Sequence, residues 1–284
     1  MSRDILEEAL RLRQAGESFV LATVIRAEKP TSAKPGAKAL ITADGEWIGW
    51  IGGSCSRPSV EYEARRALVS GKPHLVQLSS TETCASGGAL DIFLEPHVPK
   101  PHLVVVGHLP VAEALVNLAK PLGFKVTAMT PEGTLEQFGS ADAFLDHLDF
   151  EELGPGARYI VVVSHGNYDE EGIEGASKAG ADYVALVASK KRASALGVPD
   201  DVKCPAGLDI GAVTPEEIAL SILAEIVSVR RAESHQAEPA AAKDPTCGMM
   251  VGIEGARYTL TRGDDTYYFC GAGCKDAYEL KHAD

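Results

Sequence analysis

The sequence predicts an α/β chain of several domains, and three observations carry that prediction. Apolar, strand-like runs outnumber helical stripes in the first hundred residues. Strands and helices then alternate, and the last forty residues hold three of the six cysteines but little apolar bulk. With 284 residues, 45% of them hydrophobic, the chain can bury a sizeable core. Its 27 basic and 40 acidic residues give a formal net charge of −13, which argues against the basic footprint that nucleic acid or an anionic membrane surface requires. No apolar run approaches the roughly 20 residues of a membrane helix. The opening Met1-Ser-Arg-Asp-Ile-Leu-Glu-Glu reads as an acidic amphipathic helix and not as an export signal. A cytoplasmic protein with reduced thiols is the expectation.

Residues 1–97 are expected to form an α+β domain. Ile5, Leu6, Ala9 and Leu10 fall on one face of a first helix. Strands follow at 19–25, 39–42, 47–51, 74–78 and 89–94, with a helix over about 58–70 among them. In residues 98–230, Leu103-Val-Val-Val106 is a continuous apolar run of the kind that a strand buried on both faces shows. A helix at 110–120 and strands at 125–129, 159–163 and 183–187 come next. Thr214-Pro-Glu-Glu217 is a capping box opening a helix to about Arg230. Such alternation defines a Rossmann-like parallel-sheet domain. Between Val126 and Ala157 stand seven acids and no Lys or Arg, read as a solvated acidic face. Residues 231–243 are Ala/Glu/Pro-rich without apolar period and read as a linker. The remaining 244–284 form a domain too small for much core, the kind that needs a metal, a disulfide or a partner.

Chemistry-bearing residues concentrate at turns. Gly107 opens a degraded dinucleotide loop, Gly-His-Leu-Pro-Val-Ala, in which Leu109 stands where bare backbone should approach a pyrophosphate, and Met129-Thr130 replaces the acid that would hold a ribose hydroxyl. His165 and Asp169, in Ser164-His-Gly-Asn-Tyr-Asp169, follow the third strand at the edge where parallel sheets place ligands, and Ser189-Lys-Lys-Arg192 is a candidate anion clamp beside them. Two glycine–cysteine turns, Gly52-Gly53-Ser54-Cys55 and Cys84-Ala-Ser-Gly87-Gly88, offer close backbone approach and a thiol each. Cys270 and Cys274 lie four apart on one helix face, and Cys247 sits on a Pro/Gly turn able to fold back on them. Three thiolates suit zinc or copper, with His282 or a water as fourth donor.

On these residues the first two blocks resemble the XdhC/CoxI family of accessory proteins for molybdenum hydroxylases. The matching stretches are Lys29-Pro-Thr-Ser-Ala-Lys-Pro-Gly-Ala-Lys38, Ile51-Gly-Gly-Ser-Cys55, Cys84 to Pro96, Ser164 to Asp169 and Cys204-Pro-Ala-Gly-Leu-Asp-Ile-Gly-Ala-Val-Thr-Pro-Glu-Glu-Ile-Ala219. The tail resembles a YHS domain through Asp244-Pro-Thr-Cys-Gly-Met249 and Tyr267-Tyr-Phe-Cys-Gly-Ala-Gly-Cys274. The resemblance implies transient binding of molybdenum cofactor, help with its sulfuration or insertion, and delivery to an apo-hydroxylase of the xanthine or carbon monoxide dehydrogenase type. It also implies a cysteine desulfurase as partner and a homodimer. Gly52, Gly53, Cys55, Cys84, Gly87, Gly88, Gly107, His165 and Asp169 are then the candidate cofactor residues, and Cys247, Cys270 and Cys274 the metal ligands. An accessory protein is expected in preference to an independent enzyme. The alternatives are a metal-trafficking or metal-sensing protein acting through the tail, and a nicotinamide-dependent oxidoreductase. The latter is disfavoured by the missing glycine fingerprint and acid.

Overall fold

The structure, a computed structural model, describes residues 4–53, 56–78, 88–154, 157–236 and 239–282. It divides into two compact units, Met1–Pro99 with Ser234–Asp284, and Lys100–Glu233. In the first unit, helix α1 (Ile5–Gln14) is followed by strands β1 (Phe19–Glu28), β2 (Lys38–Thr42) and β3 (Trp47–Gly49). Helix α2 (Arg57–Ser70) and strands β4 (His74–Leu78) and β5 (Ala89–His97) complete the N-terminal block. The sheet runs β3-β2-β1-β5-β4 with every neighbouring pair antiparallel. Alternation along β1 explains its two-sided burial: Val20, Ala22 and Val24 pack with Val60, Ala64 and Ala67 of α2, whereas Phe19 packs with Leu12 and Leu40 on the α1 side. The face of α1 differs from the expected one. Leu12 is buried with Ile5 and Ala9 beside it, a spacing of four then three, while Leu6 and Leu10 stand exposed about one third of a turn away.

In the second unit, β6 (His102–Val106), α3 (Pro110–Ala119), β7 (Lys125–Met129) and β8 (Ala143–Leu145) precede β9 (Ala157–Val162), α4 (Asp169–Lys178) and β10 (Tyr183–Leu186). Helices α5 (Lys190–Leu196) and α6 (Pro215–Gln236) close the series. All pairs in the sheet β10-β9-β6-β7-β8 are parallel. This is a doubly wound order whose direction reverses between β6 and β9, so their carboxyl ends border the crevice where such folds hold ligands. Every residue of β6 is buried, which is why its sequence is continuously apolar after His102. The stretch read as a solvated acidic face contains β8 and the buried Phe138 and Leu153. There Asp142 accepts the Val126 amide at 2.7 Å and Lys120 Nζ at 2.5 Å. A three-residue edge strand among acids leaves almost no period to read.

The linker reading is also corrected. Helix α6 continues through Gln236, and Ala241–Lys243 form strand β11, paired antiparallel with β12 (Met250–Gly252). A hairpin of β13 (Tyr258–Arg262) and β14 (Asp265–Phe269) leads to helix α7 (Ala272–Lys281). The tail core of Val251, Phe269, Cys270 and Cys274 is small, and it is extended by docking. Met249 packs both on it and on the core beneath α2, and Arg65 of α2 lies 3.5 Å from Glu254.

Burial also fixes a protonation state. His102 is 4% exposed, with Nε2 2.8 Å from Thr127 Oγ1. Desolvation, with the nearby Lys125 ammonium adding to it, lowers its pKa from 6.5 to about 4. Below pH 6.5 the unfolded chain takes up a proton that the folded chain refuses until about pH 4. Stability therefore falls as the pH drops through that window and is unaffected by this group above it. The loss is bounded at about 3 kcal/mol. Urea midpoints of the wild type should fall from pH 7 to pH 4.5, and His102→Gln should have a shallower slope; equal slopes would remove His102 from the linkage.

Candidate functional site

The crevice at the carboxyl edge of the parallel sheet is built by the turns after β6, β7 and β9. Gly107, at φ 141°, must be glycine because a Cβ there would overlap the Val163 carbonyl oxygen. That close approach brings the β6 and β9 turns together. His108 Nδ1 lies 3.1 Å from Glu132 Oε2, and Asn167 Nδ2 donates to both Glu132 oxygens at 3.1 and 2.9 Å. Beneath them the Tyr168 hydroxyl is 2.9 Å from Thr130 Oγ1, and burial raises its pKa. Gln137 Nε2 donates to the His108 carbonyl at 2.8 Å. Glu132, which sequence reasoning missed, is an acid of the second-strand loop standing three residues beyond β7 instead of at its tip. Leu109 is partly buried and packs against the hydrophobic core.

Of the residues expected here, His165 is exposed and adopts φ 53°, an uncommon left-handed backbone for a side-chain-bearing residue. Asp169 faces inward. It is 3% exposed and accepts from Ser164 Oγ, from the Gly166 amide at 3.1 Å, and from Arg192 through Nε and Nη2, both at 3.0 Å. Arg192, expected to clamp an outside anion, is engaged by this internal acid. Its guanidinium lies against Gly166, where a Cβ would overlap Nη2. Replacing Asp169 by Ala should destabilise the second unit by about 2 kcal/mol or more, because a buried network of charged hydrogen bonds is lost. The double variant with Arg192→Ala should cost less than the sum of the singles. Denaturant midpoints check both, and additive effects would dissociate the two side chains.

In the first unit, Cys55, Cys84 and Gly87 lie outside the described residues. Gly52, at φ 142°, leaves β3 toward α2, and Gly53 has open space where a Cβ would stand. Ser56 Oγ donates to the Gly53 carbonyl at 2.8 Å and leaves the α2 N-terminus without a side-chain cap. Gly88 is required by its own fold, since a Cβ would overlap the Pro30 carbonyl oxygen.

The tail brings its three cysteines together. Sγ of Cys247 is 3.6 Å from Sγ of Cys270, which is 3.5 Å from Sγ of Cys274. These sulfurs and a carboxylate oxygen of Asp244 all lie within 4.8 Å of one another. Cys247 stands on a turn closed by Gly248, at φ 78°, whose amide bonds the Asp244 carbonyl at 2.8 Å. Cys274 lies in the first turn of α7, where the helix dipole favours a thiolate. Hydrogen bonding from Cys270 lowers the Cys247 pKa, whereas Cys270 is raised by its bond to Cys247 and by burial, and burial pushes Cys274 up to about 12. His282, suggested as a fourth donor, is exposed; it stacks on Tyr278 with ring centroids 4.1 Å apart and approaches the Tyr278 carbonyl with Nδ1 at 2.9 Å. Among the described residues no helix is long and apolar enough to cross a membrane.

A doubly wound domain with a modified dinucleotide loop, joined to an antiparallel α+β block bearing a cysteine cluster, is the class of protein defined so far. Residues 12–79 match the XdhC and CoxI family, and residues 103–226 match the XdhC Rossmann domain. Both large blocks are thus similar to XdhC-type proteins, each by its own match. It is 29% identical over 256 residues to the uncharacterized protein YqeB of Escherichia coli, covering 80% of this chain and 46% of that protein. It is also similar to a Bacillus subtilis protein described as one of the probable xanthine dehydrogenase subunits, at 31% identity over 153 residues, covering 50% of this chain and 46% of that protein. The chain thus spans about half the length of these relatives. A solved xanthine dehydrogenase from Bacillus halodurans is 20% identical and aligns with 81% of this chain and 96% of that one, at a TM-score of 0.42.

Proposed function

We propose that this chain is an accessory factor for a molybdenum-cofactor hydroxylase of the xanthine or carbon monoxide dehydrogenase type. In this reading it binds the cofactor transiently, assists its sulfuration or insertion, and works with the apo-hydroxylase and a cysteine desulfurase. The observation that carries the reading is the match of both large blocks to one family. The Bacillus subtilis relative, described as part of a probable xanthine dehydrogenase, agrees with it. Two sets of residues are proposed for contact with the cofactor, each within its own unit: Gly52, Gly53, Cys55, Cys84, Gly87 and Gly88 in the first, and Gly107 and His165 in the second, with Asp169 supporting the His165 turn from beneath. Open space at Gly53 and the uncapped amides of α2 suit an anionic group. The cofactor supplies the molybdenum centre that the hydroxylase uses; the chain's part is to bind and orient it.

The test is maturation of a candidate hydroxylase with and without this chain. Without it, hydroxylase activity and sulfurated cofactor content should fall at least tenfold, and equal content in both preparations would refute the assignment. Purified protein should retain molybdopterin-type cofactor added anaerobically, and the double variant Cys55→Ala, Cys84→Ala should retain less. Equal retention would take the thiols out of the site.

A second function is supported by the tail alone. Cys247, Cys270 and Cys274 form a soft, three-sulfur donor set suited to zinc or copper, so metal handling by the tail accompanies the accessory role in this proposal. One equivalent of metal should be bound by the wild type and lost from Cys270→Ala, as read by elemental analysis after gel filtration.

A further inference from the structure

Four groups able to hold an ion converge in the tail, three thiols and the Asp244 carboxylate. Their hydrogen bonding separates them. Asp244 is 1% exposed, and both of its oxygens are already engaged by backbone amides. Oδ1 accepts from the Thr246 amide at 2.8 Å and from the Cys247 amide at 3.3 Å, and Oδ2 accepts from the Cys270 amide at 2.8 Å. One carboxylate therefore grips the main chain of two of the three cysteines, although Cys270 is 26 residues away in sequence. The third is tied to the same turn, because Thr246 Oγ1 donates to the Cys274 carbonyl at 2.8 Å. A carboxylate withdrawn to bind an ion would leave the buried Cys270 amide and the half-buried Thr246 and Cys247 amides without this acceptor, which is costly.

We propose that Asp244 is a positioning residue and not a metal ligand, so that the tail offers an ion three thiolates and keeps one coordination position for a ligand from outside the tail. The inference rests on the metal-binding reading above and adds its donor count. With Asp244 occupied and His282 turned to Tyr278, no fourth His, Cys, Asp or Glu donor joins the thiols among the described residues. Cys247 is only half-buried, which gives an external ligand its way in, whereas Cys270 and Cys274 are buried. A four-donor structural site is closed. A three-donor site presents its ion and can pass it on or bind a small soft or nitrogenous ligand with it.

The test uses the full chain loaded with Co(II) as a spectroscopic probe. Wild type should bind one Co(II) with intense sulfur-to-cobalt charge-transfer bands. Added imidazole should shift its visible ligand-field bands in a saturable manner while leaving the charge-transfer bands in place. No shift at saturating imidazole would show a filled fourth position and overturn the proposal. Asp244→Ala should weaken Co(II) binding tenfold or more, as loss of a supporting hydrogen-bond partner does, while at saturation the thiolate bands return at wild-type intensity. Unchanged affinity would overturn the positioning role. Asp244→Asn and Thr246→Val, gentler changes, give the same reading where the alanine variant fails to fold. Wild type that binds no Co(II), zinc or copper would refute the metal-binding reading itself, a result distinct from either failure above.

Discussion

A carboxylate taken out of water must be met by donors, and the two most deeply buried acids among the described residues show how the turns beside them answer that demand. Asp169 in the second unit and Asp244 in the first are 3% and 1% exposed. Burying either one costs free energy unless its oxygens are hydrogen-bonded. Asp169 is met by the Ser164–Gly166 turn and by Arg192, and Asp244 by the Thr246, Cys247 and Cys270 amides. In both units the buried acid accepts backbone amides at the candidate site. The residues left to meet a ligand are its neighbours, exposed His165 in one case and the thiols in the other.

What the sequence could disclose follows from range. The parallel sheet was legible because its signal is local: β6 is an unbroken apolar run, and the capping box at Thr214 opens α6 with Glu217 Oε2 accepting the Val213 and Thr214 amides. The three-thiol cluster was legible because Cys270 and Cys274 are four residues apart, although Cys270 stands before the Gly271 N-cap and only Cys274 is in α7. Strand β8 was hidden because three residues carry no period, and the exposed Leu6 and Leu10 misdirected the face of α1. Asp244 was passed over for a different reason. Its role exists only after β14 returns Cys270 to it, and nothing in Asp-Pro-Thr-Cys announces a partner that distant. Arg192 shows the same limit: a basic residue near a ligand edge reads as an anion clamp until an inward acid is found to hold it.

The tail also changes the expectation attached to its size. A chain segment of about 40 residues loses on the order of 60 kcal/mol of conformational entropy on ordering, which a core of this size offsets only in part. Sequence alone leaves the thiol cluster as the main remaining contribution. In the structure a second one is visible, because Met249 inserts between the tail core and the core under α2. The tail is thus supported from outside as well as by its sulfurs, and its stability does not have to come wholly from a bound ion.

That division of labour bears on what kind of metal site the fold can tolerate. Where an ion alone holds a small domain together, releasing the ion unfolds the domain, and the site must be closed and tight to be of use. Here docking on α2 and the Asp244 clamp hold the thiol loops by interactions that need no ion. A thiol cluster held this way keeps its geometry by contacts that do not depend on an ion. The same logic applies to the parallel-sheet crevice. The Asp169–Arg192 pair fixes the Ser164–Gly166 turn before anything binds, so an incoming ligand meets a turn whose ordering entropy has already been lost on folding. Both candidate sites are therefore preorganised by buried acids, and what varies on binding is confined to the exposed groups beside them.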